Sequence, residues 1–221
     1  MYYRIIENVE LEVIGYYPQL QYKPGYNPRA PYGHWNVKGN VFPDFSPELE
    51  LVIHENAMPT NILNRMSICS FGLFIDRKFR NIIEQHKLPP HHYYPIKVYH
   101  KEQLLEYFWL HWIVNDFWDI IDYENTLVKR YSIINPPNFT IEPIISKSNL
   151  EAFLNKKEIG FDFCYEKLVF RPGFDYDVYQ TQAVDWRSLI SGKLKDALEE
   201  QGMTGFEAHL YKPLNVDEDL V

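Results

Sequence analysis

Cysteine is nearly missing from this chain: Cys69 and Cys164 are the only two in 221 residues, and no CxxC spacing occurs. That excludes a disulfide framework and leaves two reduced, buried thiols as the expectation. Glycine is scarce at ten residues, and neither a Walker loop nor GxGxxG appears, which argues against a phosphate-cradling nucleotide site. There is no GxSxG elbow and no HExxH helix, and neither cysteine has a histidine beside it. No stretch approaches the length of an uncharged membrane span; the densest aromatic one, Tyr107 to Ile121, contains His111, Asn115, Asp116 and Asp119. Met1 to Glu7 lacks a basic region followed by an apolar one, so no secretory signal is expected and the chain reads as cytoplasmic. Positive charge is in deficit, with 22 Lys and Arg against 30 Asp and Glu, a formal charge of −8. That balance argues against non-specific nucleic-acid binding and against anionic membranes, and it suits a basic partner.

Aromatic residues are abundant instead: 17 Tyr, 14 Phe and 5 Trp make up 16% of the chain. Such side chains favour strands and carry large contact areas. A chain of this size buries about 70% of its unfolded surface and needs no staple. Residues 1–66 are punctuated by Pro18, Pro24, Pro28, Pro31, Pro43 and Pro47, and read as strand and loop packed on the main body. Tyr2 to Ile6, Leu11 to Tyr17 and Leu49 to His54 are its expected strands. The body, 67–214, should be α+β, and 215–221 an acidic, solvated tail.

Within the body, Phe71 to Ile75 leads into Asp76 as a helix N-cap, followed by Phe79, Ile82 and Ile83 at helical spacing. Leu88-Pro89-Pro90 stops that helix, and a strand resumes over Tyr93 to Tyr99, with Pro95 pointing to an edge or a strand start. Near the end the phrase recurs: Ser188 to Ile190, Ser191 as N-cap, then Leu194, Ala197 and Leu198, closed by Gly202 and followed by a strand over Phe206 to Tyr211. A duplicated strand–helix–strand unit is one reading, and chance recurrence of a common capped helix is the other. Tyr107 to Ile113 suggests a buried strand, with a helix from Lys101 as the alternative on periodicity. Lys147 to Asn155 reads as a helix capped by Ser148 or Asn149, and Phe161 to Phe163 and Leu168 to Phe170 as strands. The expected fold is therefore α+β, a mixed, mainly antiparallel sheet with a few short amphipathic helices.

Candidate chemistry is thin. His86, His91 and His92 surround Pro89-Pro90; a metal site would need them convergent with a carboxylate, and solvated loop histidines are the competing reading. His111 reads as a core or interface residue. Asp116, Asp119 and Asp122 would share a face on a helix, as paired acid/base groups or a cation site, but after a strand they read rather as turn formers. Asp175, Tyr176 and Asp177, after Arg171-Pro172-Gly173, form a turn or an exposed acidic–aromatic patch. No cofactor or metal is expected.

Three segments carry a resemblance: Leu73-Phe74-Ile75-Asp76-Arg77-Lys78-Phe79, Tyr107-Phe108-Trp109-Leu110-His111 through Trp118-Asp119-Ile120-Ile121-Asp122-Tyr123-Glu124, and Leu189 to Glu200 with Gly202-Met203-Thr204-Gly205-Phe206. Their order and spacing resemble immunity proteins of bacterial polymorphic toxin systems, most nearly immunity protein family eleven. The likeness spans roughly residues 70 to 212. Asp76 stands where that family has serine in the first cap, and Asn125-Thr126 where a serine follows its acidic stretch. The resemblance implies a non-enzymatic antidote that occludes a cognate toxin domain, and it brings no catalytic residues. Asp116, Trp118, Asp119, Asp175, Tyr176 and Asp177 are the candidate contacts, since Tyr and Trp flanked by Asp offer anchor and charge together. The alternatives are a hydrolase-type enzyme pairing His91 or His92 with the Asp cluster, and a structural subunit that associates through an apolar face or sheet edge.

Overall fold

Side-chain caps start the three longer helices, and the computed structural model, which describes residues 1–135, 137–155 and 159–214, shows how the elements assemble. The expected tail, 215–221, lies outside the described residues. The first part of the chain supplies β1 (Tyr2–Glu7), a single turn α1 (Leu11–Ile14), β2 (Leu20–Tyr22), β3 (Glu50–Ile53) and β4 (Ile62–Leu63). Next come β5 (Leu73–Asp76), α2 (Arg77–Ile83), β6 (His91–His100), β7 (Gln103–Trp112) and the turn α3 (Phe117–Ile120). An excursion follows through β8 (Leu127–Ser132), β9 (Phe139–Pro143), α4 (Lys147–Leu154) and β10 (Phe161–Lys167). The chain ends with β11 (Val178–Gln180), β12 (Ser188–Ser191), α5 (Gly192–Glu200) and β13 (Phe206–Leu210). The fold is α+β. Its sheets run β2-β3-β6-β7-β5-β4, β11-β12-β1-β13 and β10-β8-β9, antiparallel throughout except where β3 lies parallel to β6.

β7 explains the unbroken apolar run. Phe108, Leu110 and Trp112 join one core with Leu73, Ile75, Phe79, Leu194 and Leu198, while Tyr107 and Trp109 join the other with Phe74, Tyr94, Val98 and Leu51. A strand covered on both faces has no polar side to alternate with. Residues 20–71, for all their prolines, provide that second cover. Pro95 sits in β6 outside the stretch Lys97–Tyr99 that pairs with β3, so its lack of an N–H leaves no gap on that side.

The recurring phrase is a recurring topology. In one sheet β4, β5, β7 and β6 stand side by side; in another β11, β12, β1 and β13 do. Both β5 and β6 are antiparallel to β7, hence parallel to each other, and β12 and β13 flank β1 in the same way. Each pair is joined through a helix, α2 or α5, and the two helices pack together with Phe79 and Phe206 edge to face at 6.2 Å. In one unit the middle strand follows by a hairpin; in the other it comes from the opposite end of the chain. The two are related as circular permutations.

The matching extends to single bonds. Asp76 accepts from Phe79 N at 2.8 Å, and Ser191 Oγ from Leu194 N at 3.2 Å, each satisfying an otherwise open helix N–H. The residue before each edge strand holds its cap: Asn61 Nδ2 donates to Asp76 at 2.7 Å, and Ser191 Oγ donates to Asp177 at 2.6 Å. Each of these also reaches the turn after the other unit's helix. Thr204 N donates to Asn61 Oδ1 at 2.8 Å and Lys87 N to Asp177 Oδ2 at 2.9 Å, so the halves clasp reciprocally.

Three local expectations are corrected. Leu11 to Tyr17 is not a strand: only Ile14 among its apolar residues is well buried, and Gly15, at φ 76°, closes a helical turn against Asn56 O, where a Cβ would sit 2.7 Å away. Leu168 to Phe170 leaves its sheet after Lys167, keeping a single bridge from Phe170 to Ile121. α4 is capped by Ser146, whose Oγ accepts from Asn149 N at 3.1 Å, while Asn149 Oδ1 reaches back to Ile145 N at 3.4 Å. Asn149 is the reciprocal partner, three residues in, rather than the cap.

Candidate functional site

Two loops from distant parts of the chain build an acidic–aromatic groove of about 330 Å³. α3 supplies Asp116 and Asp119, and the turn Arg171 to Tyr176 before β11 supplies Asp175 and Tyr176. Asp116 stands at the N-cap position of α3 without capping it; its Oδ1 instead accepts the Tyr179 hydroxyl at 3.1 Å. Tyr176 stacks on Tyr179 with ring centres 5.6 Å apart, Phe174 meets Tyr179 edge-on at 4.9 Å, and Phe170 tilts against Phe174 at 4.3 Å. Tyr2 OH donates to the Tyr176 carbonyl at 2.8 Å, tying the groove to β1. Partial burial raises the Tyr176 phenol, and the Asp116 carboxylate, by charge and hydrogen bond, raises it further. Burial pushes the Tyr2 phenol up to about 12, helped by Asp177 and Asp175.

Two cations share this groove: Arg171 from the same turn, and Lys87, which no local sequence signal placed there. Lys87, from the turn after α2, pairs with Asp175 and lies 5.3 Å over the Tyr176 ring, and Arg171 also lines the groove. The Lys87–Asp175 pair is more than half exposed on both partners. Solvent screens pairs of that kind, so they contribute little to stability and exchange partners readily.

Of the six expected contacts, Asp116, Asp119, Asp175 and Tyr176 line one surface. Asp177 points inward to the clasp: burial would raise its carboxyl, but Ser191, the Lys87 N–H and His86 hold it below its ordinary value. Trp118 is half-buried against the core, its ring edge-on to Phe117 at 5.3 Å and Lys147 Nζ 5.1 Å above it.

Of the three expected loop histidines only His86 lies in a turn, the one after α2, and its side chain is not solvated. His86 has a buried side chain with Nδ1 3.4 Å from Asp177 Oδ2, while His91 and His92 open β6, His91 bonded to Pro89 O and His92 packed on Phe42. No hydrogen bond or ion pair joins His91 or His92 to Asp116, Asp119 or Asp122 among the described residues. His111 is fully buried and lowered to about 4, chiefly by desolvation and also by His92; its Nε2 lies 3.3 Å from Gly39 O. Cys69, expected to be buried, is exposed, and Cys164 is half-buried, with burial raising its thiol. Among the described residues no group of three or more His, Cys, Asp or Glu side chains is arranged to hold a metal ion. None of the described helices is long and apolar enough to cross a membrane. No protein-family model matches this sequence, nor does any curated protein.

Proposed function

We propose that this chain is an antidote that binds a cognate bacterial toxin domain one to one and neutralises it by occlusion. The observation that supports the reading is the groove itself. It sets three carboxylates, Asp116, Asp119 and Asp175, around the half-exposed Tyr176 ring on a chain of net charge −8. Exposed carboxylates steer a basic partner, an aromatic ring gives it an anchor, and Lys87 releases Asp175 at little cost. The direct test is co-expression with the toxin domain encoded beside it. The wild-type chain should rescue growth, and Asp119→Lys with Asp175→Lys, both exposed, should abolish rescue while leaving the melting temperature unchanged. Full rescue by that folded variant removes the groove as the interface, and absence of rescue by the wild type removes the antidote reading.

A second reading, a subunit that associates through a sheet edge, is favoured by β9. All five of its residues are exposed, including Phe139 and Ile141, and Ile133 and Ile134 beside it are exposed too. Edge strands with apolar side chains invite pairing with a second copy. Sedimentation over a hundredfold concentration range checks this: a dimer lost on Ile141→Lys supports it, and a monomer throughout rejects it.

A further inference from the structure

A second concavity, of about 600 Å³, lies where the end of β7 meets the chain between β11 and β12, apart from the acidic groove. Its volume falls in the range of small-molecule sites, roughly 300–1,000 Å³. Four primary amides line it, from Asn40, Asn115, Gln180 and Gln182, and none of the described residues in its wall is ionisable. Its aromatic walls are Phe71, Trp112 and Trp186. The geometry points to a binding site for an uncharged sugar ring.

The chemistry of the lining carries this. A primary amide both donates and accepts, as a sugar hydroxyl does, so the two satisfy each other in either sense. A phosphate, carboxylate or ammonium would enter without a counter-charge, which is unfavourable in a partly enclosed site. Nucleotides are disfavoured for that reason. A pyranose also has an apolar C–H face, and a flat ring matches it. Trp186 is 64% exposed at the rim, a large apolar surface left in water. Trp112, by contrast, is buried, and its indole N–H is a donor without a hydrogen-bond partner in the wall.

The walls are held in place before any ligand arrives. Gln182 Nε2 donates to Val114 O at 2.6 Å, and Tyr165 OH donates to Gln182 O at 2.8 Å. Trp109 Nε1 donates to Phe71 O at 2.6 Å. Gly72, at φ 71°, brings its backbone so close that a Cβ would lie 2.1 Å from Leu110 O. Preformed polar positions of this kind reduce what binding loses to ordering.

The test is titration of the full chain, by tryptophan fluorescence and saturation-transfer NMR, with maltotriose, cellotriose and tri-N-acetylchitotriose, and with adenosine and uridine as the comparison arm. At least one saccharide should saturate with a Kd in the micromolar to low-millimolar range (about 1 mM corresponds to weak but specific binding). Trp186→Ala and Gln180→Ala should each weaken it at least tenfold with unchanged melting temperature, and Trp186→Phe should keep most of the affinity. No saturation by any saccharide, equal binding by both alanine variants, or tighter binding of a nucleoside overturns the proposal. Toxin rescue is scored separately and does not depend on this outcome.

Discussion

Asp177 shows how one carboxylate can be committed to structure in a place where exposure looked natural. It accepts the Ser191 hydroxyl and the Lys87 N–H and lies beside His86. Asp177→Ala therefore strands two donors at the clasp and should destabilise by about 2–4 kcal/mol in urea unfolding, whereas Asp177→Asn, which imitates Asn61 in the other unit, should lose less. The sign of the pH effect follows from its lowered carboxyl. Its stabilisation is fully present above the unfolded value of about 4 and is lost as pH falls through the lower folded value. Glu7 has the opposite slope: burial raises its carboxyl against the pull of Arg65, so its contribution improves as pH falls. Unfolding curves from about pH 3 to 7 should show a flatter acid limb for Asp177→Asn than for the wild type.

At the scale of elements, what was legible in sequence was what is local. Asp76, Ser191 and Gly202 announce helix ends because caps act within three or four residues; Met203 N bonds Leu198 O and Gly202 N bonds Glu199 O, closing α5 as the glycine suggested. Asp76→Ala and Ser191→Ala should each cost about 1 kcal/mol, read as a lower urea midpoint. The β6–β7 hairpin was not legible. Its two-residue turn, Lys101 and Glu102, has φ of 49° and 67°, a conformation normally signalled by Asn-Gly. Installing that pair, Lys101→Asn with Glu102→Gly, should relieve the left-handed backbone and stabilise by about 1–2 kcal/mol, raising the melting temperature. Leu11 to Tyr17 misled because an apolar pattern over so few residues does not distinguish a half-buried strand from one helical turn.

For the whole molecule, the reciprocal clasp joins the two units, and Gly205 sits in that joint. At φ 89°, an added Cβ would meet Ile62 O at 2.0 Å and Thr60 at 2.7 Å, so Gly205→Ala should destabilise by about 2–4 kcal/mol or more, measured by denaturant unfolding. Charge acts at the same scale. If the acidic groove receives a basic partner, replacing Asp116, Asp119 and Asp175 by Lys should slow association roughly 10–100-fold at low salt and flatten its salt dependence, as stopped-flow binding would report.

The α+β class, the caps of α2 and α5, the strands next to them and the acidic, ring-rich character could be read from the residues alone, because propensity, capping and composition act within a few residues or add up over all of them. It took the folded chain to reveal that the two units share a topology by circular permutation, that Lys87 enters the groove of Asp175, and that amides from four separate positions line one cleft. Those are long-range closures. They depend on which strands pair and which turns meet, and no local window of residues encodes them.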